Sequence, residues 1–154
     1  MTIAKPAGTV PSDVSPDVDA IRAIIAAIEA AHHAKDAASI ARHYAPDAII
    51  ADLAPPLRRR GFDMSATQAW LEGWDGPVEL TTQGIEIKVG GDLAVCHGLL
   101  HTRARTRSGE QAAWWSRMTV VLARSPTGWR IIHEHSSVPF HMDGSFRAAV
   151  DLEP

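Results

Sequence analysis

Two histidines in the stretch GWRIIHEHSSVPF, residues 128–140, have a type and spacing that could do chemistry. Residues two apart on a strand face the same way, so His133 and His135 would share a face with Trp129 and Ile131. A neutral imidazole acts as a base or as a ligand near pH 7. The alternative is that one of the two packs against helices and hydrogen-bonds the backbone, which is the commoner fate of a strand histidine.

Asp52 is the carboxylate that best fits a catalytic base. It ends an otherwise apolar segment, residues 48–53, where partial desolvation suits a carboxylate to proton transfer. The alternative is a structural role, because ion pairs that only stabilise the fold also shift the pKa of a carboxylate. In that case Asp52 pairs at the pocket rim with an arginine of the run Arg58-Arg59-Arg60.

Arg117 is the candidate for binding an anionic or oxyanionic group. It lies in mid-strand between Ser116 and Met118, in a run that then becomes apolar. A buried guanidinium needs a carboxylate partner or a ligand anion, because an unpaired buried charge is very costly. The alternative to a ligand is an internal pair of Arg117 with Asp52 or Glu134.

Side chains on neighbouring strands could complete a pocket. His97 and His101 face the same way on one strand, and Trp115 shares a face with Arg117 on the next. We place Trp115 and Trp74 at the pocket mouth, where a flat apolar ligand could stack.

The same histidines also raise the possibility of a metal site. His133 and His135 with His97 and His101 could bind a metal across adjacent strands. A single H-x-H is a weak signal, and Glu134, the nearest acid, points the other way on a regular strand. We therefore expect no metal.

The elements that must position these residues are mostly helical in the first half. Ser15 can cap a helix that begins at Pro16 and breaks near residues 35–36. A shorter helix over residues 37–44 stops before Pro46, and a short strand then runs through Asp52. Ser65 to Gln68 has capping-box spacing and opens a third helix, which ends at Gly73 or Trp74.

From Val78 onward the apolar period changes from 3.6 to 2, as in a half-buried strand. Three turn signals, at residues 90–92, 108–109 and 125–128, divide this part into four strands of an antiparallel meander. The order predicts an α+β domain in which N-terminal helices cover one face of a curved antiparallel sheet.

Composition sets broad limits. The chain has 154 residues, 45% apolar and 21% charged, with a net charge of −3, so neither nucleic acid nor a membrane is expected as a partner. One cysteine and an N-terminus without an apolar core fit a cytoplasmic protein. We divide the chain into a disordered tail (1–15), one domain (16–140) and a C-terminal tail (141–154).

Three stretches resemble the SnoaL-like and ketosteroid-isomerase-like domains of the NTF2-like superfamily. They are HYAPDAIIADL, GFDMSATQAWLEGW and WWSRMTVVLARSPTGWRIIHEHSSVP. The ending W-x-I-x-H-x-H-S-S-x-P recurs in SnoaL-like proteins and is similar to the ending of the association domain of calmodulin-dependent kinases. The resemblance implies a cone-shaped fold with a pocket between the helices and the sheet, and a homodimer packed through the convex face of the sheet.

For function the resemblance implies two alternatives. The first is a cofactor-free enzyme for isomerisation, dehydration or cyclisation next to a carbonyl, with Asp52 as base, Arg117 holding an oxyanion and His133 or His135 relaying a proton. The second is a non-catalytic ligand-binding or assembly module that binds a small carboxylate. Tyr44, the only tyrosine, would take part in substrate binding, but it lies in HYAPDA, where relatives more often have a packing aromatic, so the chain departs from the ketosteroid isomerase pattern.

Overall fold

The computed structural model describes residues 15–154. The predicted N-terminal tail, residues 1–15, therefore lies outside the described residues except for Ser15. The elements are α1 Pro16–His33, α2 Ala37–Ala41, β1 Tyr44–Ala51, β2 Arg59–Arg60, α3 Met64–Glu72, β3 Asp75–Gly90, β4 Leu93–Arg105, β5 Gln111–Ser125 and β6 Gly128–Ser137.

Helix α1 begins where its capping signals are. The Ser15 hydroxyl accepts a hydrogen bond from the Val18 amide at 3.4 Å, and Pro16 occupies the first helical position. The helix ends at His33, and Lys35 follows in the left-handed region with φ 56°. The predicted break near residues 35–36 is thus a tight reversal of the chain.

Two helix bounds differ from those predicted. Helix α2 ends at Ala41 rather than at residue 44, because Tyr44 already begins β1. Helix α3 begins at Met64, one residue before Ser65, and its cap is Asp63, whose carboxylate accepts a hydrogen bond from the Ala66 amide at 2.9 Å. Aspartate caps a helix as well as serine does, so the upstream residue takes that role.

The six strands form one curved sheet in the order β2-β1-β6-β5-β4-β3. The predicted α+β class and the meander are confirmed, and the three turn signals separate β3, β4, β5 and β6. The sheet is mixed rather than wholly antiparallel, because β1 runs parallel to β6. Such a pair needs a long crossover, which α3 and the meander provide.

One irregularity in β6 decides which residues face inward. Val121 pairs with His133, whereas its neighbour Leu122 pairs with Ile131, so Ile132 is an extra residue in the ladder. A β-bulge of this kind shifts the alternation of the strand by one residue. Before Ile132, the odd-numbered residues Trp129 and Ile131 face one side of the sheet. After Ile132, the even-numbered residues of β6 face that same side.

The core lies between the helices and the inner face of the sheet, which we define as the face that contacts α1. Ile21 of α1 is fully buried against Cys96, Leu122 and Ile131. Ile40, Leu71 and Val78 form a second cluster nearer α2 and α3. The opposite side of the sheet is called the outer face below.

The C-terminal segment after β6 consists mainly of turns. Phe140 and Ala148 form an isolated bridge, and His141 contacts Asp151 at 2.9 Å. Among residues 15–154, no helix has the length and apolar character needed to cross a membrane.

Candidate active site

A cavity of about 420 Å³ opens between the helices and the inner face of the sheet. Its size is that of a small-molecule site. The wall is largely apolar, with side chains from both layers, among them Ile24, Ile28, Phe62, Leu100, Met118 and Val120. An apolar ligand would therefore bury most of its surface here.

A tyrosine and a glutamate form a pair in this wall. Tyr44 at the start of β1 and Glu134 on β6 both line the cavity, and the Tyr44 hydroxyl donates a hydrogen bond to Oε2 of Glu134. The tyrosine ring packs against Phe62 with 4.8 Å between ring centroids. Because neighbouring strands and a ring contact hold both residues, the geometry of the pair is fixed before any ligand binds.

The environment shifts both groups towards their protonated forms. Burial raises the pKa of the Glu134 carboxyl above its ordinary value and outweighs the hydrogen bond from Tyr44, which lowers it. The charge of Asp52 also raises this pKa, whereas Arg59 and His133 lower it. Burial and the neighbouring Glu134 raise the pKa of the Tyr44 phenol well above its usual range, so the phenol remains a donor.

An ion pair lies next to these two groups. Arg59 Nη2 on β2 is 2.5 Å from Asp52 Oδ2 just after β1, and both residues line the cavity. Asp52 is therefore placed in the predicted pocket, but in the ion-paired arrangement that was the alternative to a free base. The Arg59 Nε atom is buried and has no hydrogen-bond partner among residues 15–154.

His32 of α1 adds a neutral polar group to the wall. Its Nδ1 is 2.8 Å from the carbonyl oxygen of Ile28. A carbonyl only accepts, so Nδ1 carries the proton of the neutral ring and Nε2 does not. Burial lowers the pKa of His32, which keeps the ring neutral.

The residues predicted from the β6 alternation lie on the outer face, away from the cavity. His133 is half-buried there, with Nδ1 2.9 Å from the Ile49 carbonyl oxygen, and His135 is exposed. The bulge at Ile132 is the reason, because it turns Glu134 and Ser136 towards the cavity and His133 and His135 away from it. The expectation that Glu134 points away from the pocket is wrong for the same reason.

Arg117 and its neighbours also lie on the outer face. Arg117 is exposed, because Ser116 and Met118 are the cavity residues on this part of β5. An exposed guanidinium needs no internal partner, so the argument for a buried charge does not apply. The cavity cation is Arg59 instead.

The other predicted pocket residues on the strands lie outside the cavity, and they are His97, His101 and Trp115. His101 stacks on Trp115 with 4.3 Å between centroids and 7° between planes. His97 is 3.8 Å from Glu86. Within residues 15–154, no group of three or more histidine, cysteine, aspartate or glutamate side chains could hold a metal ion.

Trp74 lies one layer behind the cavity wall. Its ring contacts Trp70 at 6.0 Å and Trp114 at 6.2 Å, and these two tryptophans line the cavity. The predicted aromatic contact surface is therefore present, but Trp70 and Trp114 provide it in place of Trp74 and Trp115.

Sequence reasoning missed Glu134 as a cavity residue and named Arg59 only as one of three possible partners of Asp52 at the pocket rim. The only signal for the first is the adjacent apolar pair Ile131-Ile132, which breaks strict alternation and suits a bulge. Arg59 belongs to the run Arg58-Arg59-Arg60, and the sequence does not indicate which of these arginines enters the cavity. A two-residue strand pairing Ile50 with Arg59 brings its side chain inward, and no local pattern indicates so short an element.

The sequence profile of the SnoaL-like domain matches residues 21–141. No curated protein sequence matches the chain.

Solved structures share the fold over most of the chain. An NTF2-like protein of unknown function from Pseudomonas putida is 28% identical with a TM-score of 0.76, and the match covers 88% of this chain and 95% of that one. An NTF2-like superfamily protein from Salmonella enterica is 22% identical with a TM-score of 0.71, covering 82% and 94%. A candidate dehydratase of the NTF2-like family from Streptomyces avermitilis is 15% identical with a TM-score of 0.70, covering 79% and 95%.

The profile match runs from within α1 through all six strands, and the solved structures share this fold. The chain belongs to the SnoaL-like domain family of the NTF2-like superfamily.

Proposed function

We propose that the protein is a cofactor-free enzyme that moves a proton next to the carbonyl group of a small, mostly apolar molecule. The supporting observation is the carboxyl of Glu134, which lines an apolar cavity, accepts a hydrogen bond from Tyr44 and has a raised pKa. Carboxyls with raised pKa values suit proton transfer near neutral pH. Isomerisation, dehydration and cyclisation all begin with such a step.

In this proposal Glu134 replaces Asp52 as the base. Its ionised carboxylate takes a proton from the carbon next to the carbonyl, and the electron pair of that C–H bond forms an enolate. The protonated acid then gives the proton to another carbon, which completes an isomerisation, or to a departing hydroxyl, which completes a dehydration. Tyr44 orients the carboxylate of Glu134. The ion pair with Asp52 holds the guanidinium of Arg59 in place next to Glu134.

A non-catalytic binding module is the second candidate. The specific observation in its favour is the Arg59 Nε atom, which is buried without a hydrogen-bond partner among residues 15–154. A ligand carboxylate that displaced Asp52 would satisfy the guanidinium. Such a protein would bind small carboxylates and turn nothing over.

Thermal-shift measurements with two probes separate the candidates. The ketone 4-phenylcyclohexanone and the carboxylate 4-phenylbutanoate share an apolar ring and differ in the polar group. We expect the ketone to stabilise the wild type and Arg117→Ala equally, because Arg117 is on the outer face. Stabilisation by the carboxylate alone, lost in Arg59→Ala and kept in Arg117→Ala, would favour the binding module and contradict the enzyme.

Composition supports a cytoplasmic setting for this reaction, with a small-molecule ligand and without nucleic acid or membrane as partner.

A further inference from the structure

Two hydroxyl groups lie in the apolar floor of the cavity without protein partners. Ser116 on β5 is 3% exposed and Thr102 on β4 is 4% exposed, and both line the cavity. Neither side chain makes a hydrogen bond within the part of the chain that the structure describes. Because both residues are almost wholly buried and yet line the cavity, a bound ligand is the group best placed to complete the hydrogen bonds of their hydroxyls.

The register of the strands places the two hydroxyls together. Thr102 pairs with Trp114, and Leu100 pairs with Ser116, so Ser116 and Thr102 are diagonal neighbours on the same face of β4 and β5. Diagonal neighbours on one face are close enough to interact with a common group. One ligand oxygen could therefore contact both hydroxyls.

The same register separates this pair from the acid. Glu134 pairs with Val120, which is four residues along β5 from Ser116. At about 3.3 Å per residue the two positions are roughly 13 Å apart along the strand. Between them Ser136 pairs with Met118 and also lines the cavity, so polar positions cross the apolar floor in one diagonal row.

We propose that Ser116 and Thr102 form a subsite for a second oxygen of the substrate, remote from the reacting carbonyl. The substrate class is then an elongated apolar ketone with a hydroxyl or carbonyl oxygen at its far end. This inference rests on the proposed function, since it takes the Glu134 end of the cavity as the reacting end. It adds a basis for selecting among ketones, because a site built to hydrogen-bond an oxygen discriminates against analogues that lack it.

A pair of probes that differ in a single hydroxyl tests this subsite. The probes are 4-(4-hydroxyphenyl)cyclohexanone and 4-phenylcyclohexanone, and their Kd values follow from quenching of tryptophan fluorescence, since Trp70 and Trp114 line the cavity. The variants are Ser116→Ala and Thr102→Val. The matched control is Thr119→Val, an exposed threonine on the outer face of β5.

We expect each cavity variant to weaken binding of the hydroxylated ketone about three- to tenfold, the effect of one lost hydrogen bond, and to leave the other ketone unchanged. Thr119→Val should bind both as the wild type does. Melting temperatures of the cavity variants should not fall, because neither substitution removes a hydrogen bond to the described part of the protein.

The outcomes distinguish the subsite from the proposed function. Exchange of the ketone α-protons without any hydroxyl preference would overturn the subsite and leave the enzyme standing. A hydroxyl preference that depends on Ser116 and Thr102, without exchange, would support the subsite and overturn the enzyme. If the wild type binds neither ketone, the substrate class assigned to the cavity is wrong.

Discussion

At the scale of the residue, the site consists of a carboxyl whose surroundings oppose its charge. Glu134 is on a strand that contributes Ile131 to the core, and its carboxyl is in a wall of isoleucine, leucine and methionine. The hydrogen bond that Tyr44 donates to the carboxylate and the nearby charge of Arg59 partly offset the free-energy cost of burying this carboxyl. A functional carboxyl held in this way is expected to reduce stability.

The first prediction concerns this cost. Burial raises the pKa of Glu134 in the folded state, so between its ordinary and its raised value the folded state binds more protons than the unfolded state does. Stability therefore falls as pH rises through this window. Glu134→Gln removes the titration and keeps an acceptor for Tyr44, so this variant should melt at a higher temperature than the wild type at pH 8, with a smaller gap at pH 4.

Thermal melts of both proteins across that pH range measure the gap. Glu110→Gln, at an exposed glutamate, is the matched control and should follow the wild type at every pH. A gap between Glu134→Gln and the wild type that stays constant with pH would mean that Glu134 titrates normally.

The second prediction concerns Tyr44. Its hydrogen bond favours the ionised form of Glu134, so Tyr44→Phe should raise the pKa of Glu134 further. If ionised Glu134 is the base, the rise of kcat/KM with pH should move to higher pH in this variant, and the rate should fall roughly tenfold or more at neutral pH. A pH profile that keeps its midpoint in Tyr44→Phe contradicts the assigned role of Tyr44.

At the scale of the element, the start of α1 and the turns between β3, β4, β5 and β6 could be predicted because each depends on local chemistry. Pro16, the Ser15 cap and the glycine turns act within a few residues. Which residues of β6 face the cavity could not be predicted. This depends on whether Ile132 pairs with β5, and the alternation of apolar residues does not encode that contact. Arg59 could not be distinguished from Arg58 and Arg60 for a similar reason, since β2 exists only through its pairing with β1.

The third prediction concerns the contact between β3 and β4. A Cβ atom on Gly98 would lie 2.9 Å from the Gln83 carbonyl oxygen and 2.9 Å from Cδ1 of Ile85, where the register of β3 shifts. Gly98→Ala should therefore cost about 1–3 kcal/mol of stability, as overpacking does. Thermal melts of Gly98→Ala and of Gly90→Ala, whose Cβ would meet nothing within 4 Å, measure this. Equal melting temperatures for the two variants would contradict the tight approach of β3 to β4.

At the scale of the whole molecule, the sheet has one face for the cavity and another that carries the four histidines first considered for the site, which are His97, His101, His133 and His135. His101, Trp115 and Arg117 share that outer face with the partly exposed Val95. The fold and family could be predicted from three sequence stretches, since they depend on the order of elements. Of the predicted site residues only Asp52 and Tyr44 line the cavity, because packing between distant segments determines which residues do so.

The fourth prediction is the homodimer expected through the outer face. Trp115→Glu would place a charge beside the His101 ring in that surface, and size-exclusion chromatography with light scattering should show a shift from dimer to monomer. Glu134→Gln, in the cavity, should stay dimeric. A wild type that elutes as a monomer, or a Trp115→Glu dimer, would rule out this interface.

The most direct test of the central claim is solvent exchange at the α-carbon of a ketone. Wild type, Glu134→Gln and Glu110→Gln are incubated with 4-phenylcyclohexanone in D₂O, and NMR follows the loss of the α-proton signals. Catalysis of exchange by the wild type and by Glu110→Gln, with a rate roughly 10²- to 10⁴-fold lower in Glu134→Gln, is the predicted result. Exchange by Glu134→Gln at the wild-type rate, or no catalysed exchange by the wild type, would contradict the assignment of Glu134 as the proton-transfer residue.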